Sequence, residues 1–108
     1  MNCGVCIAYL REKDKCLGCE IGPTKKSCLN CKIRNCRERK GQYCFDCANF
    51  PCERLKHLDK RYQTKYGMSE IENLEYIRDQ GIDKFLQNEC KKWQRESGIF
   101  CVHNKNVY

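Results

Sequence analysis

Apolar residues recur at helical spacing along the second half of this chain and lose that regularity in the first half. Leu55, Leu58, Tyr62 and Tyr66 fall three or four positions apart, the period of one face of an α-helix. Pro51 ahead of them suits a first helical turn, whose backbone N–H groups lack helical partners in any case. Gly67 behind them accepts the left-handed conformation that ends many helices. A first helix is therefore predicted over about residues 51–66. Ser69 and Glu72 make an S-x-x-E capping box, and Ile71, Leu74 and Ile77 carry an apolar stripe up to Gly81, which predicts a second helix over about residues 70–80. After that break Ile82, Phe85, Leu86, Glu89, Cys90 and Trp93 continue the period. They predict a third helix of about a dozen residues packed on the second, with Cys90 as a small buried apolar residue. Helical periodicity already explains the aromatic residues as core rather than as base-stacking platforms. Ile99, Phe100 and Val102, after Gly98, suggest a short strand or extended tail.

The first half has few large apolar residues, too few for burial alone to offset the entropy of ordering the chain. What it has instead is sulfur. Ten of the 12 cysteines lie between Cys3 and Cys52, and eight of these ten form C-x-x-C pairs: Cys3/Cys6, Cys16/Cys19, Cys28/Cys31 and Cys44/Cys47. Two residues between thiols allow a tight turn that aims both sulfurs at one ion, and four thiolates complete the tetrahedral shell of a structural zinc. Cys3, Cys6, Cys16 and Cys19 read as one such site. Cys28, Cys31, Cys36, Cys44, Cys47 and Cys52 hold more thiols than one zinc requires. Either four bind it, with Cys31, Cys36, Cys44 and Cys47 favoured and Cys28 and Cys52 as further ligands or buried thiols, or all six share two ions. The cofactor expected is zinc, two ions or three, with an iron–sulfur cluster as the chemical runner-up. The fold class expected is a small metal-stabilised α+β or irregular one. Its cysteine-rich zinc-knuckle module would span residues 1–52 with little regular structure, followed by a helical subdomain at 53–108 with three helices and a short tail, both packed as one domain.

Composition narrows the setting. No apolar run approaches the roughly 18 residues of a membrane span, and the opening MNCGVCIAYL lacks the basic start of a signal peptide. A cytoplasmic location is expected, where thiols bind metal rather than each other. The net charge is +7. Residues 1–67 carry 15 Lys and Arg against 7 Asp and Glu, whereas residues 68–108 carry 6 against 7. Lys32, Arg34, Arg37, Arg39 and Lys40 are the candidate nucleic-acid contacts within that basic stretch. Metal tempers the argument: two zinc ions on eight thiolates bring the net charge to about +3, because the ligands bind deprotonated.

The succession CGVC, Tyr9, CLGC, CKIRNC, KGQYC, FDC and FPC, then SEIENL, the Gly81–Leu86 run GIDKFL, Trp93 and CVHN, closely resembles a small prokaryotic cysteine-rich family, domain of unknown function 3795. The resemblance spans nearly the whole chain. It implies metal binding by the shared cysteines and no established reaction. It also implies a further terminal knuckle in many members, where this chain has Arg95, Ser97 and Val107, so Cys101 and His103 are not carried over as ligands. The spacing of the second cysteine group is also similar to the binuclear zinc cluster of fungal transcription factors, with shorter gaps before Cys36 and after Cys47.

These readings favour a non-catalytic zinc-binding protein, of zinc-finger character, serving interaction with a protein or nucleic acid. The alternative is a thiol redox sensor or metal-handling protein that uses the surplus cysteines. Catalysis is not expected. A catalytic zinc keeps an open position and commonly takes His ligands, only His57 and His103 are available, and no nucleotide-binding glycine loop, serine triad motif or HExxH element occurs. No membrane and no small-molecule substrate is inferred.

Overall fold

The computed structural model describes residues 2–108. A 3-10 turn at Cys3–Val5 opens the chain, with the Asn2 side chain accepting the Gly4 N–H at 2.9 Å. Single-turn helices α1 (Ile7–Leu10) and α2 (Lys26–Leu29) follow, then a second 3-10 turn at Cys44–Asp46. Three longer helices come next: α3 (Glu53–Tyr66), α4 (Glu70–Gln80) and α5 (Ile82–Trp93). Strands β1 (Gln94–Arg95) and β2 (Gly98–Ile99) pair antiparallel, Gln94 opposite Ile99 and Arg95 opposite Gly98. The result is the small α+β, largely irregular fold expected, with the regular structure concentrated after Cys52. Among the described residues no helix is long and apolar enough to cross a membrane.

The chain divides into two compact units. The first comprises Met1–Arg34 with Cys90–Tyr108, and the second Asn35–Glu89. In the first, Val5, Ala8, Cys101 and Val102 are buried, and the two ends of the chain are stitched together. The Val102 N–H donates to the Val5 carbonyl at 3.1 Å, and the Ile7 N–H donates to His103 Nδ1 at 3.3 Å. Trp93 and Phe100 stack with ring centroids 5.9 Å apart. The last residue doubles back, Ile99 and Tyr108 exchanging two backbone hydrogen bonds of 2.8 Å.

In the second unit α3 packs on α4, and so does the Cys44–Asp46 turn. Gly67 ends α3 at φ 65°, the left-handed cap expected of it, and the Ser69 hydroxyl caps α4 by accepting the Glu72 N–H at 3.1 Å. Asp59 is buried on α3, where Oδ1 accepts both the Ser69 hydroxyl at 2.8 Å and the Ile71 N–H at 3.0 Å. This carboxylate therefore serves the positive end of α4 from a neighbouring helix.

Two expectations need correcting. Helix α3 begins at Glu53 with Cys52 as its N-cap, so Pro51 precedes the first turn instead of occupying it. On α5 the buried line is Phe85, Glu89 and Trp93, while Ile82 and Leu86 are exposed. Six positions span too wide an arc for one contact face, and the helix buries one of the two adjacent lines. Cys90 lies on the other: it is exposed, its Sγ 3.4 Å from Gln94 Oε1, and is not the buried residue expected. The Tyr76 and Phe85 rings, 6.1 Å apart, join α5 to α4.

Candidate metal centre

All twelve cysteines are free thiols. In the first unit the knuckles form through backbone bonds close to the sulfurs. The Cys6 N–H returns to the Cys3 carbonyl at 3.0 Å, closing the Cys3/Cys6 spacer, and the Cys16 N–H reaches the Ala8 carbonyl at 2.7 Å, drawing the second knuckle onto α1. Gly18 holds φ 90°, a conformation that admits the close turn of the Cys16/Cys19 spacer, and the Tyr9 ring lies against it. Together these place Cys3 Sγ 3.8 Å from Cys19 Sγ. Burial raises the Cys19 thiol above its ordinary pKa, and the neighbouring charges of Cys3 and Cys28 push it further. The buried Cys16 behaves oppositely: the backbone N–H groups of Gly18 and then Thr24 lower it to about 7 against the effect of burial. A sulfur fixed by N–H donors in this way is predisposed to the thiolate that binds metal.

In the second unit the Cys47 N–H returns to the Cys44 carbonyl at 3.1 Å, and the Phe50 N–H to the Cys47 carbonyl at 3.1 Å. Burial raises the pKa of the Cys44 thiol, opposed by the charge of Arg39 and a hydrogen bond from it, and reinforced by the charges of Cys52 and Cys36. In both units, then, neighbouring thiols raise one another's pKa, an effect that a nearby dication would reverse.

Of the cysteines singled out from sequence, the structure brings Cys3 to Cys19, sets Cys28 within electrostatic reach of Cys19, and sets Cys36 and Cys52 within reach of Cys44. Among the described residues no three His, Cys, Asp or Glu side chains converge tightly enough to hold an ion. The donor set nonetheless fits zinc in its chemistry, being all thiol. It also fits in the Cys3–Cys19 sulfur pair at 3.8 Å, since corners of a tetrahedron with Zn–S bonds of about 2.3 Å lie about 3.8 Å apart.

Of the basic candidates, Lys32, Arg37 and Lys40 are exposed, and Arg34 and Arg39 are half-buried. Arg39 stands at the Cys44 thiol, a role that its place in a run of basic residues does not signal. His57 is exposed on α3. His103 is half-buried with its Nδ1 engaged by the Ile7 N–H, and burial, followed by the charges of Lys25 and Lys105, lowers its pKa.

Residues 1–57 match a family model described as "Protein of unknown function (DUF3795)". No curated protein and no solved structure matches the chain.

Proposed function

We propose, on the premise that the chain belongs to that family of unknown function, that it is a non-catalytic zinc-binding protein whose four-cysteine sites organise its N-terminal half for contact with a protein or nucleic-acid partner. The observation that carries this reading is the 3.8 Å approach of Cys3 Sγ to Cys19 Sγ across sixteen positions of sequence. It is far beyond the roughly 2.05 Å of a disulfide and equal to one edge of a zinc tetrathiolate. The remaining corners are drawn from Cys6, Cys16 and Cys28, and a second ion is held among the later cysteines. Zinc in such sites supplies a redox-inert dication that balances the thiolates and fixes the loops between them. An all-thiolate donor set is the kind used in structural sites, which supports a non-catalytic role. The exposed Lys26, Lys32, Arg37 and Lys40 lie in the segments these sites would hold rigid, and they favour a phosphate-bearing or acidic partner.

Elemental analysis with native mass on chain purified without added metal tests the reading. Two zinc ions per chain are expected, and a metal-free or iron-containing protein would reject it. Titration with RNA and duplex DNA at low and high salt separates the partners. Nucleic-acid binding would fall steeply with salt, whereas a protein-binding module would show none at low salt.

A further inference from the structure

We infer that Cys3 and Cys19 are a peroxide-reactive pair, two thiols placed to close into a single disulfide and to let go of any metal they hold as they do so. The inference goes beyond the zinc reading and does not depend on it, because it needs two sulfurs side by side and no third ligand.

Both cysteines belong to the same compact unit, and their sulfurs stand 3.8 Å apart across sixteen positions of sequence. A disulfide requires about 2.05 Å, a further approach of about 1.8 Å. Each sulfur is carried by a hydrogen-bonded turn, so the pair is held in place by the fold. The Cys3 turn is closed by the Val5 N–H on the Asn2 carbonyl at 3.3 Å and the Cys6 N–H on the Cys3 carbonyl at 3.0 Å, and Val5 within it is buried. The Cys19 turn is closed by the Gly22 N–H on the Gly18 carbonyl at 3.0 Å, with Gly18 at φ 90° against the Tyr9 ring.

Access sets the order of events. Cys19 is exposed, Cys3 is half-buried, and Cys16, the knuckle partner of Cys19, is buried. An oxidant therefore meets Cys19 first, and the sulfur in contact with it is that of Cys3. An exposed thiol beside a second one able to resolve it is the arrangement on which reversible cysteine oxidation depends. Desolvation and the charge of Cys3 hold the Cys19 proton firmly, which slows the first step and leaves its product the same.

The oxidant is a hydroperoxide. Cys19 Sγ attacks one peroxide oxygen, the O–O bond breaks, and the departing hydroxide leaves as water with the thiol proton, giving a sulfenic acid. Cys3 Sγ then displaces the hydroxyl: the S–S bond forms, the S–O bond breaks, and a second water carries away the Cys3 proton. The two sulfurs lose two electrons and the peroxide gains two. Where a metal holds the pair as thiolates, solvent supplies both protons, and the metal leaves because the disulfide offers it no thiolate.

The test uses the full-length chain as purified, its metal content measured, treated with one equivalent of hydrogen peroxide. Free thiols counted in denaturant should fall by two from twelve. Tryptic peptides 1–11 and 16–25, which hold Cys3 with Cys6 and Cys16 with Cys19, should be found joined, and fragmentation should place the bond on Cys3 and Cys19. A bond within either knuckle, a bond to Cys28, or an unchanged thiol count would overturn the inference. In Cys3→Ser the resolving sulfur is gone, and Cys19 should persist as a sulfenic acid that dimedone captures once per chain; a Cys19 disulfide formed at the wild-type rate would overturn the role of Cys3. The same samples separate this inference from the zinc reading. A zinc-containing chain should release one ion per disulfide formed. A zinc-containing chain that keeps twelve thiols overturns the inference alone, and a zinc-free chain that still joins Cys3 to Cys19 upholds it and overturns the zinc reading.

Discussion

Asp59 shows how much a single side chain does here. Burial would raise its pKa, but hydrogen bonds from the Ile71 N–H, the Ser69 hydroxyl, the Gln63 amide and the Glu70 N–H outweigh it and hold the carboxyl below its ordinary value of 3.8. A carboxylate with a depressed folded pKa contributes its full stability above the unfolded value and loses it as pH falls through the lower folded one. Asp59→Asn should therefore cost about 1–3 kcal/mol near neutral pH, read from urea midpoints. The difference between the two proteins should close as the pH falls below about 4. His103 works at the other end of the scale. Its neutral ring accepts the Ile7 N–H, and protonation would set donor against donor. Its pKa lies below 6.5, so the stability it lends is complete above that value and is lost as pH falls further. An imidazole titration by NMR with a midpoint at or above 6.5 would contradict this. Neither role was legible in the sequence: Asp59 sits between the apolar positions of α3, and His103 acts on a residue 96 positions away.

At the level of elements, the three long helices were legible because local signals agreed. The apolar period, the Ser69 cap and the terminating glycines all fall where the helices begin and end. Single-turn α1 and α2 were not legible, since four residues are far below the length at which propensity sustains a helix, and backbone bonds from the knuckles hold them. Periodicity also identified the apolar positions of α5 without telling which line faces inward. That choice has a measurable consequence. Phe85, 7 % exposed, and Leu86, 52 % exposed, are sequence neighbours with opposite surroundings. Phe85→Ala should cost about 3–5 kcal/mol and Leu86→Ala within about 0.5 kcal/mol in denaturant unfolding; equal losses would mean the helix presents a different face. The candidate site was legible to the same degree. Spacing picked out ten thiols, but which sulfurs stand together depends on turns such as Cys44–Asp46 that no short-range pattern fixes.

Across the whole molecule the two units differ in regular structure more than in apolar burial: the first buries Val5, Ala8, Cys16, Trp93, Cys101 and Val102 and the second Leu55, Met68 and Phe85, but the second holds α3, α4 and most of α5, whose backbone bonds are satisfied internally. On the zinc reading proposed above, removing the metal with chelator should therefore be felt unequally. Amides of the first-unit knuckles, such as those of Cys16 and Gly22, should lose hydrogen-exchange protection, while Gly81 and Phe85, bonded to Ile77 and Gly81, should retain much of theirs. Uniform loss of protection would show that metal holds both units to the same extent.

The stitching of Val5 to Val102 and of Ile7 to His103 makes the segment around the Cys3/Cys6 knuckle depend on residues 96 positions further along. Val5 and Ile7 cannot complete their hydrogen bonding until Val102 and His103 have been translated. A fragment ending at residue 57, where the family match stops, would leave the Val5 carbonyl and the Ile7 amide unanswered however much zinc is supplied.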